Sequence, residues 1–264
     1  TIFDEEDCKE LSEPYRPGKL REMSFASIIS MVKEYRSLYE FYSDDLVGDY
    51  KRTIERLQKE QRPAIEQQFS SFGNVLYSEL HDFLNHGHEW IAAYDESLAS
   101  VHGLDFTDLI CGVHHLFQDP VVRERWRSRY NYISVDEMQD TGVLEYKVLE
   151  MLWEGNHVLL CGDYFQTIYE WRGSDPFRLL KQFDADFKPL KIIFYENYRS
   201  NWTLFTMAFK TLQNMFPDLV GSIYTELPRA NSERKGKPVL IKGCKNSYLE
   251  GRYIYEAICA LPKD

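Results

Sequence analysis

Apolar positions recur along this chain with two different periods. From Ser24 to about Leu98 the spacing is helical. Phe25, Ile28, Ile29 and Val32 fall on one face, Leu38, Phe41 and Tyr42 follow, and Ile54 and Leu57 lie opposite a face rich in Lys, Glu and Gln. Pro63 marks a fresh start, and Val75 to Tyr94, rich in Leu, Phe and Trp, predicts a further helix. Residues 1 to about 20 are acidic and interrupted by Pro14, Pro17 and Gly18, which predicts a connector or ragged edge. Asp105 to Phe117 predicts a helix. The period then shortens. Tyr132-Ile133-Ser134-Val135 is a β-branched and aromatic run of strand type that ends on Asp136 and Glu137. His157 to Cys161 is a second apolar run, ending on Gly162-Asp163. Between them, Val143 to Trp153 carries Leu144, Val148, Met151 and Leu152 at helical spacing. Strand, helix, strand predicts a parallel βαβ unit, and in parallel sheets ligands bind at the carboxyl ends of the strands. Asp136, Glu137, Asp163 and Gln166 are therefore expected on one rim. Farther on, Asp175-Pro176 opens a helix to about Phe183, since Asp caps and Pro suits a first turn. Lys191 to Tyr195 predicts a strand, its first four residues the third parallel neighbour. Asn201 to Phe216 predicts a helix, Pro228 to Pro238 a loop, Val239 to Lys242 a short strand and Leu249 to Leu261 a last helix.

With 264 residues, 44% of them apolar and 15% aromatic, the chain can bury a core, which excludes global disorder. No run of about 18 apolar residues occurs, so no membrane span is expected. The opening TIFDEEDCKE has no apolar core of a signal peptide. Cys8, Cys111, Cys161, Cys244 and Cys259 are scattered and form no CxxC, which points to reduced thiols and a cytoplasmic setting. His81, His86, His88 and His114-His115 lack a cysteine or carboxylate at a familiar ligand spacing, so they read as surface or capping residues. The net charge of −11 excludes a generic basic nucleic-acid coat but leaves room for a local groove. Arg123, Arg125, Arg127 and Arg129, interleaved with Glu124, read as a solvated helix end.

One string changes the picture. VDEMQDT (135–141), GDYFQTIYEWRG (162–173) and ENYRS (196–200) occur in that order, and upstream Leu104-Asp105-Phe106-Thr107-Asp108-Leu109 precedes them. Together they resemble the UvrD/Rep/PcrA family of superfamily 1 DNA helicases, in which a segment of the type LDFDDL returns the chain to the first motor domain. The motifs cover roughly the middle third of the chain. Departures are mild: Met138 stands where the family often has Phe, Thr167 for a common Ser, and Ser174 for a common Ala.

The resemblance implies an α/β fold: a RecA-like (P-loop NTPase) parallel sheet flanked by helices, with a helical insertion and the start of a second RecA-like domain. Residues 1–103 would be the mostly helical insertion, 104–197 the carboxyl-terminal part of the first motor domain, and 198–264 the beginning of the second. It implies ATP and Mg²⁺ as cofactors. Asp136 would help to hold Mg²⁺ through water, and Glu137 would orient and deprotonate the attacking water. Gln166 would sense the γ-phosphate, with Asp163 shaping its loop. Arg199 would reach the γ-phosphate from the second domain, and Tyr198 would stack on adenine. Tyr169, Trp171 and Arg172 would contact single-stranded DNA, aromatic faces stacking on bases without reading sequence. For Tyr169 and Trp171, core packing is the competing reading.

The implied activity is ATP-dependent 3′ to 5′ translocation on single strands and unwinding at duplex junctions, in the cytoplasm or on the nucleoid, as in DNA repair. The sequence holds no GxxxxGK[ST] phosphate loop and begins with Thr, so it is expected to be an internal piece of a longer protein. Two other readings stand beside the helicase. One is an ATPase-inactive nucleic-acid-binding or regulatory module, and the other is the motor part of a helicase–nuclease subunit. Asp136, Glu137, Gln166 and Arg199 together favour an enzyme, because a dead ATPase has no chemical need of all four.

Overall fold

The acidic opening folds into a helix rather than a ragged connector. In the computed structural model, which describes residues 1–18, 22–71, 74–167, 176–230, 236 and 238–261, α1 spans Glu5–Ser12. The Asp4 carboxylate accepts the N–H groups of Glu6 and Asp7 at 2.8 and 3.0 Å, and Asp7 accepts that of Asp4 at 3.2 Å. This reciprocal cap satisfies amides that the helix start leaves orphaned. Packing supplies the rest: Phe3, Cys8, Leu11 and Tyr15 lie against the helical core. Ile2 bridges to Leu104 as in a parallel ladder. A Cβ on Gly103 would sit 2.4 Å from the Phe3 ring, so only glycine admits this contact.

The chain divides into two compact units, Thr1–Lys188 and Pro189–Asp264. In the first, α2 (Glu22–Leu38), α3 (Leu46–Glu60), α4 (Arg62–Gln68) and α5 (Tyr77–Ser100) surround one core, with a small antiparallel hairpin of β1 (Ser70–Ser71) and β2 (Asn74–Val75) before α5. The predicted apolar face of α2 is the one buried: Phe25, Ile28, Ile29 and Val32 meet Tyr50, Ile54 and Leu57 of α3 and Phe83, Ile91 and Leu98 of α5. Each such side chain contributes about 1.5–3 kcal/mol by leaving water.

Inside this core sits a cation. Lys33, 3% exposed, holds Asp95, Asp105 and Asp108 at 3.1, 2.8 and 2.5 Å. Asp105 caps α6 (Phe106–Leu116) and shares a capping box with Asp108. Tyr94 donates its hydroxyl to Asp105 at 3.1 Å. The Leu104–Leu109 segment therefore starts a helix and clamps it to α2 and α5 through the same two carboxylates. A short α7 (Pro120–Arg127) follows, capped by Asp119. The solvated-end reading holds for Arg125 and Arg129, which are exposed; Arg127 is half-buried and pairs with Glu124 and Glu154.

The expected βαβ unit is present. β3 (Tyr132–Val135) and β4 (His157–Leu160) pair in parallel with Val135 opposite Leu160, and α8 (Val143–Glu150) connects them. One face of the ladder, with Ile133, Val135, Val158 and Leu160, packs on a second core of Met138, Tyr146, Trp153, Leu179 and Phe183. Leu179 and Phe183 come from α9 (Pro176–Phe187), one turn longer than predicted because Phe187 also reaches the Trp153 ring at 5.5 Å. The other face carries Tyr132, 75% exposed and stacked on His157.

The second unit contains β5 (Glu196–Asn197), α10 (Trp202–Met215), α11 (Pro217–Ile223), β6 (Arg229–Ala230) and α12 (Ser247–Cys259). β5 and β6 pair in parallel. Two expected strands are not formed. Lys191 to Phe194 forms no ladder, and Tyr195 contributes only its carbonyl, which accepts the Arg229 N–H at 2.8 Å, so the expected three-stranded parallel sheet is a two-stranded one among the described residues. Leu190 and Phe194 are exposed. Val239 to Lys242 likewise has no ladder partner among the described residues, with Leu240 and Ile241 exposed. An apolar run meets the composition of a strand, but a strand exists only where a neighbour takes its backbone hydrogen bonds. Among the described residues no helix is long and apolar enough to cross a membrane.

Candidate nucleotide site at the strand ends

β3 ends where the chain turns out of the sheet. The ladder continues one step past the strands: Cys161 donates its N–H to the Val135 carbonyl and Met138 to the Cys161 carbonyl, both at 2.8 Å. Between these contacts Glu137 adopts a left-handed backbone, φ 51° and ψ 42°. That conformation costs a residue with a Cβ on the order of 1–2 kcal/mol. Two things hold it: Met138 is fully buried in the second core, and Asp136 accepts the Glu137 N–H on Oδ1 at 2.9 Å. Asp136 and Glu137 are thereby left exposed side by side at the rim.

β4 ends on the same rim. Gly162 leads to Asp163, whose Oδ1 accepts the Phe165 N–H and whose Oδ2 accepts Nε2 of Gln166, each at 2.9 Å. A single 3₁₀ turn, Tyr164–Gln166, presents Gln166 to solvent. The structure thus brings together the four residues that the sequence pattern assigns to the rim.

A fifth residue, to which sequence reasoning gave no role, joins the two loops. Gln139 is 2% exposed. Its Nε2 donates to Glu137 Oε2 at 2.7 Å, and its Oε1 accepts the Asp163 N–H at 2.9 Å. The available signal was a lone amide in the segment that turns back from the rim into the core, where a buried polar group must find partners.

This rim offers oxygen ligands and an amide, all on short loops. No group of three His, Cys, Asp or Glu among the described residues forms a metal cage. Two exposed adjacent carboxylates suit instead an octahedral divalent cation that keeps most of its waters and takes its remaining ligands from a bound phosphate.

In the second unit, Tyr198 and Arg199 follow β5 and are exposed. The Tyr198 hydroxyl donates to Glu196 Oε2 at 2.7 Å, and Glu196 Oε1 accepts from Arg229 at 3.0 Å. Asn197 Oδ1 accepts the Ser200 N–H at 2.8 Å, which tightens the turn that presents both side chains. Tyr169, Trp171 and Arg172 lie outside the described residues.

Comparison with known proteins bears on the same segments. The family described as the UvrD/REP helicase N-terminal domain matches residues 1–188. The chain is 32% identical over 175 residues to the DNA helicase II of Haemophilus influenzae, covering 64% of this chain and 23% of that protein. It is 36% identical over 146 residues to the ATP-dependent DNA helicase Rep of Buchnera aphidicola, covering 54% and 22%. With the ATP-dependent DNA helicase PcrA of Staphylococcus aureus it shares 34% identity over 149 residues, covering 55% and 18%. The chain thus spans less than a quarter of the length of each of these relatives.

Proposed function

The chain belongs to the UvrD/REP helicase family, and from that premise we propose that it is the hydrolytic and strand-gripping segment of a longer ATP-dependent DNA helicase. The observation that carries the reading is the linked rim, in which two adjacent carboxylates and a sensor-type glutamine are fixed by one hydrogen-bonded chain at the ends of β3 and β4.

In this reading ATP binds at the rim, with its phosphate loop supplied by the parent outside this sequence. Asp136 would help to hold Mg²⁺, which would supply charge neutralisation on the phosphates. Glu137, exposed and held by its turn, takes the proton of the attacking water. Gln166 donates to or accepts from the γ-phosphate or its water, as an amide is able to do. By the family resemblance Arg199 would add a forked cation to the developing charge and Tyr198 a face for adenine. Tyr169, Trp171 and Arg172 follow Gln166 within six residues, so the nucleotide sensor and the grip on single-stranded DNA lie on one short segment. Hydrolysis thereby drives translocation along one strand, 3′ to 5′, and separation of duplex at a junction.

The test is DNA-stimulated ATP turnover by the full-length protein, wild type against Glu137→Gln. The expected result is a loss of turnover of about 10²–10⁴-fold with retained ATP and DNA binding, the range that a positioned base supplies. A Glu137→Gln protein that hydrolyses at the wild-type rate overturns the assignment.

A further inference from the structure

We infer that Gln139 is a positioning residue for the hydrolytic base, and that it transmits the state of the Asp163–Gln166 loop to Glu137. The inference rests on the reading of Glu137 just given and adds a residue to it.

The geometry assigns the role to an amide in particular. Gln139 makes one hydrogen bond as donor, to Glu137 Oε2, and one as acceptor, from the Asp163 N–H. An amide side chain supplies a donor and an acceptor at fixed separation. A carboxylate at this position repels Glu137, and an apolar side chain leaves the Asp163 N–H unpaired. The amide engages Oε2 of Glu137, so the contact distinguishes the two carboxylate oxygens.

Gly162, the neighbour of Asp163, approaches the same amide oxygen. A Cβ on Gly162 would lie 2.8 Å from Gln139 Oε1, 3.2 Å from the Met138 nitrogen and 3.3 Å from the Gln139 nitrogen. The β4 loop therefore rests directly on the amide, with no side chain between. Gln166 continues the line through its bond to Asp163 Oδ2. The result is an unbroken sequence of hydrogen bonds from Gln166 through Asp163 and Gln139 to Glu137. A loop that shifts when its glutamine gains or loses a phosphate contact must move the amide that aims the base.

The experiment uses the full-length protein, with ATP turnover measured on saturating oligothymidine. Gln139→Leu is expected to lower kcat at least tenfold and to leave KM for ATP within threefold, the pattern of an interaction that matters in the transition state. Gln139→Glu keeps the shape and the acceptor for Asp163, reverses the contact with Glu137, and is expected to lose kcat at least as far. It serves where the leucine variant does not fold. A packing role is separated by a double-mutant cycle. In single-turnover measurements on a Glu137→Gln background, adding Gln139→Leu is expected to change the residual rate less than twofold. A kcat within twofold of wild type in a folded variant overturns the inference. So does a raised KM with unchanged kcat, or an equal further loss on the Glu137→Gln background. An inactive wild-type protein instead fails the proposed function itself, and the inference falls with it.

Discussion

Replacing Lys33 by methionine tests what ties the helical core to the strand-end site. Lys33 lies on α2, 3% exposed, with three carboxylates within 3.1 Å. The contact to Asp95 Oδ1 is Coulombic, since that oxygen has no aligned hydrogen-bond donor. Asp105 and Asp108 are the capping residues of α6, and α6 packs on both α2 and α8. Methionine keeps the length and apolar volume of the lysine stem but leaves three carboxylates facing one another, exposed by only 17%, 9% and 21%. Removing one partner from a buried ion pair costs about 3–5 kcal/mol, a large part of the 5–15 kcal/mol that typically holds a domain together. For a unit of this size that corresponds to a drop of roughly 6–20 °C in Tm. Urea unfolding followed by tryptophan fluorescence reads the change.

The pH dependence carries the sign. Burial already holds the Asp108 carboxyl above its ordinary range, against the pull of Lys33. A carboxyl raised in the folded state contributes stability that is present below its unfolded value and lost as pH rises through its folded value. Without Lys33 that contribution grows, so Lys33→Met should recover stability on going from pH 7 to pH 5 relative to wild type. Lys33 itself is raised far above an ordinary lysine by its three carboxylates despite the opposing cost of burial. Its contribution is fully present below the ordinary lysine pKa and constant across that acidic window. A variant within about 1 kcal/mol of wild type, the scale of an exposed salt bridge, or one that loses stability on acidification, refutes the clamp.

Three further outcomes follow from other parts of the chain. In the full-length protein, Trp171→Ala should weaken oligothymidine binding by about 1–3 kcal/mol, the loss of one stacking platform, and lower DNA-stimulated but not basal ATP turnover; unchanged affinity in a fluorescence titration makes Trp171 a packing residue. The isolated 264-residue chain should show no appreciable ATP turnover, because its sequence holds no phosphate loop; turnover abolished by Glu137→Gln contradicts this. Burial pushes the Cys111 thiol up to about 12 while Cys259 is exposed, so mass spectrometry after brief iodoacetamide treatment at pH 8 should find Cys259 alkylated well before Cys111.

Elements with their own local signals were legible in the sequence. Asp105 and Asn201 announce helix starts and cap them, and the two apolar runs ending at Asp136 and Gly162 pair as the βαβ pattern requires. Elements whose signal lies far away were not. The prolines and acids of the first twenty residues conceal a helix held by Phe3 against Gly103, a hundred positions later. Lys191 to Tyr195 has the composition of a strand, and composition is silent on whether a partner edge is there to receive it.

The rim itself shows where that limit falls. Which residue types gather at the ends of β3 and β4 follows from chain order and strand period, both local. How they are wired does not, because the link that joins the two loops, Gln139 to Asp163, spans 24 residues. Gly162 makes the point. In sequence it reads as a turn former, chosen for backbone freedom. Its backbone in fact needs no such freedom, for Gly155 is the only described glycine at positive φ. What it supplies is space: a Cβ there would clash with the Gln139 amide oxygen and crowd two backbone nitrogens. Glu137 is the converse, a residue with a Cβ in the left-handed region, kept there because its neighbour Met138 must enter the core. At this site the conformations that residue type predicts locally are exchanged between glycine and glutamate, and the contacts made by Gln139 and Met138 are what stabilise the exchange.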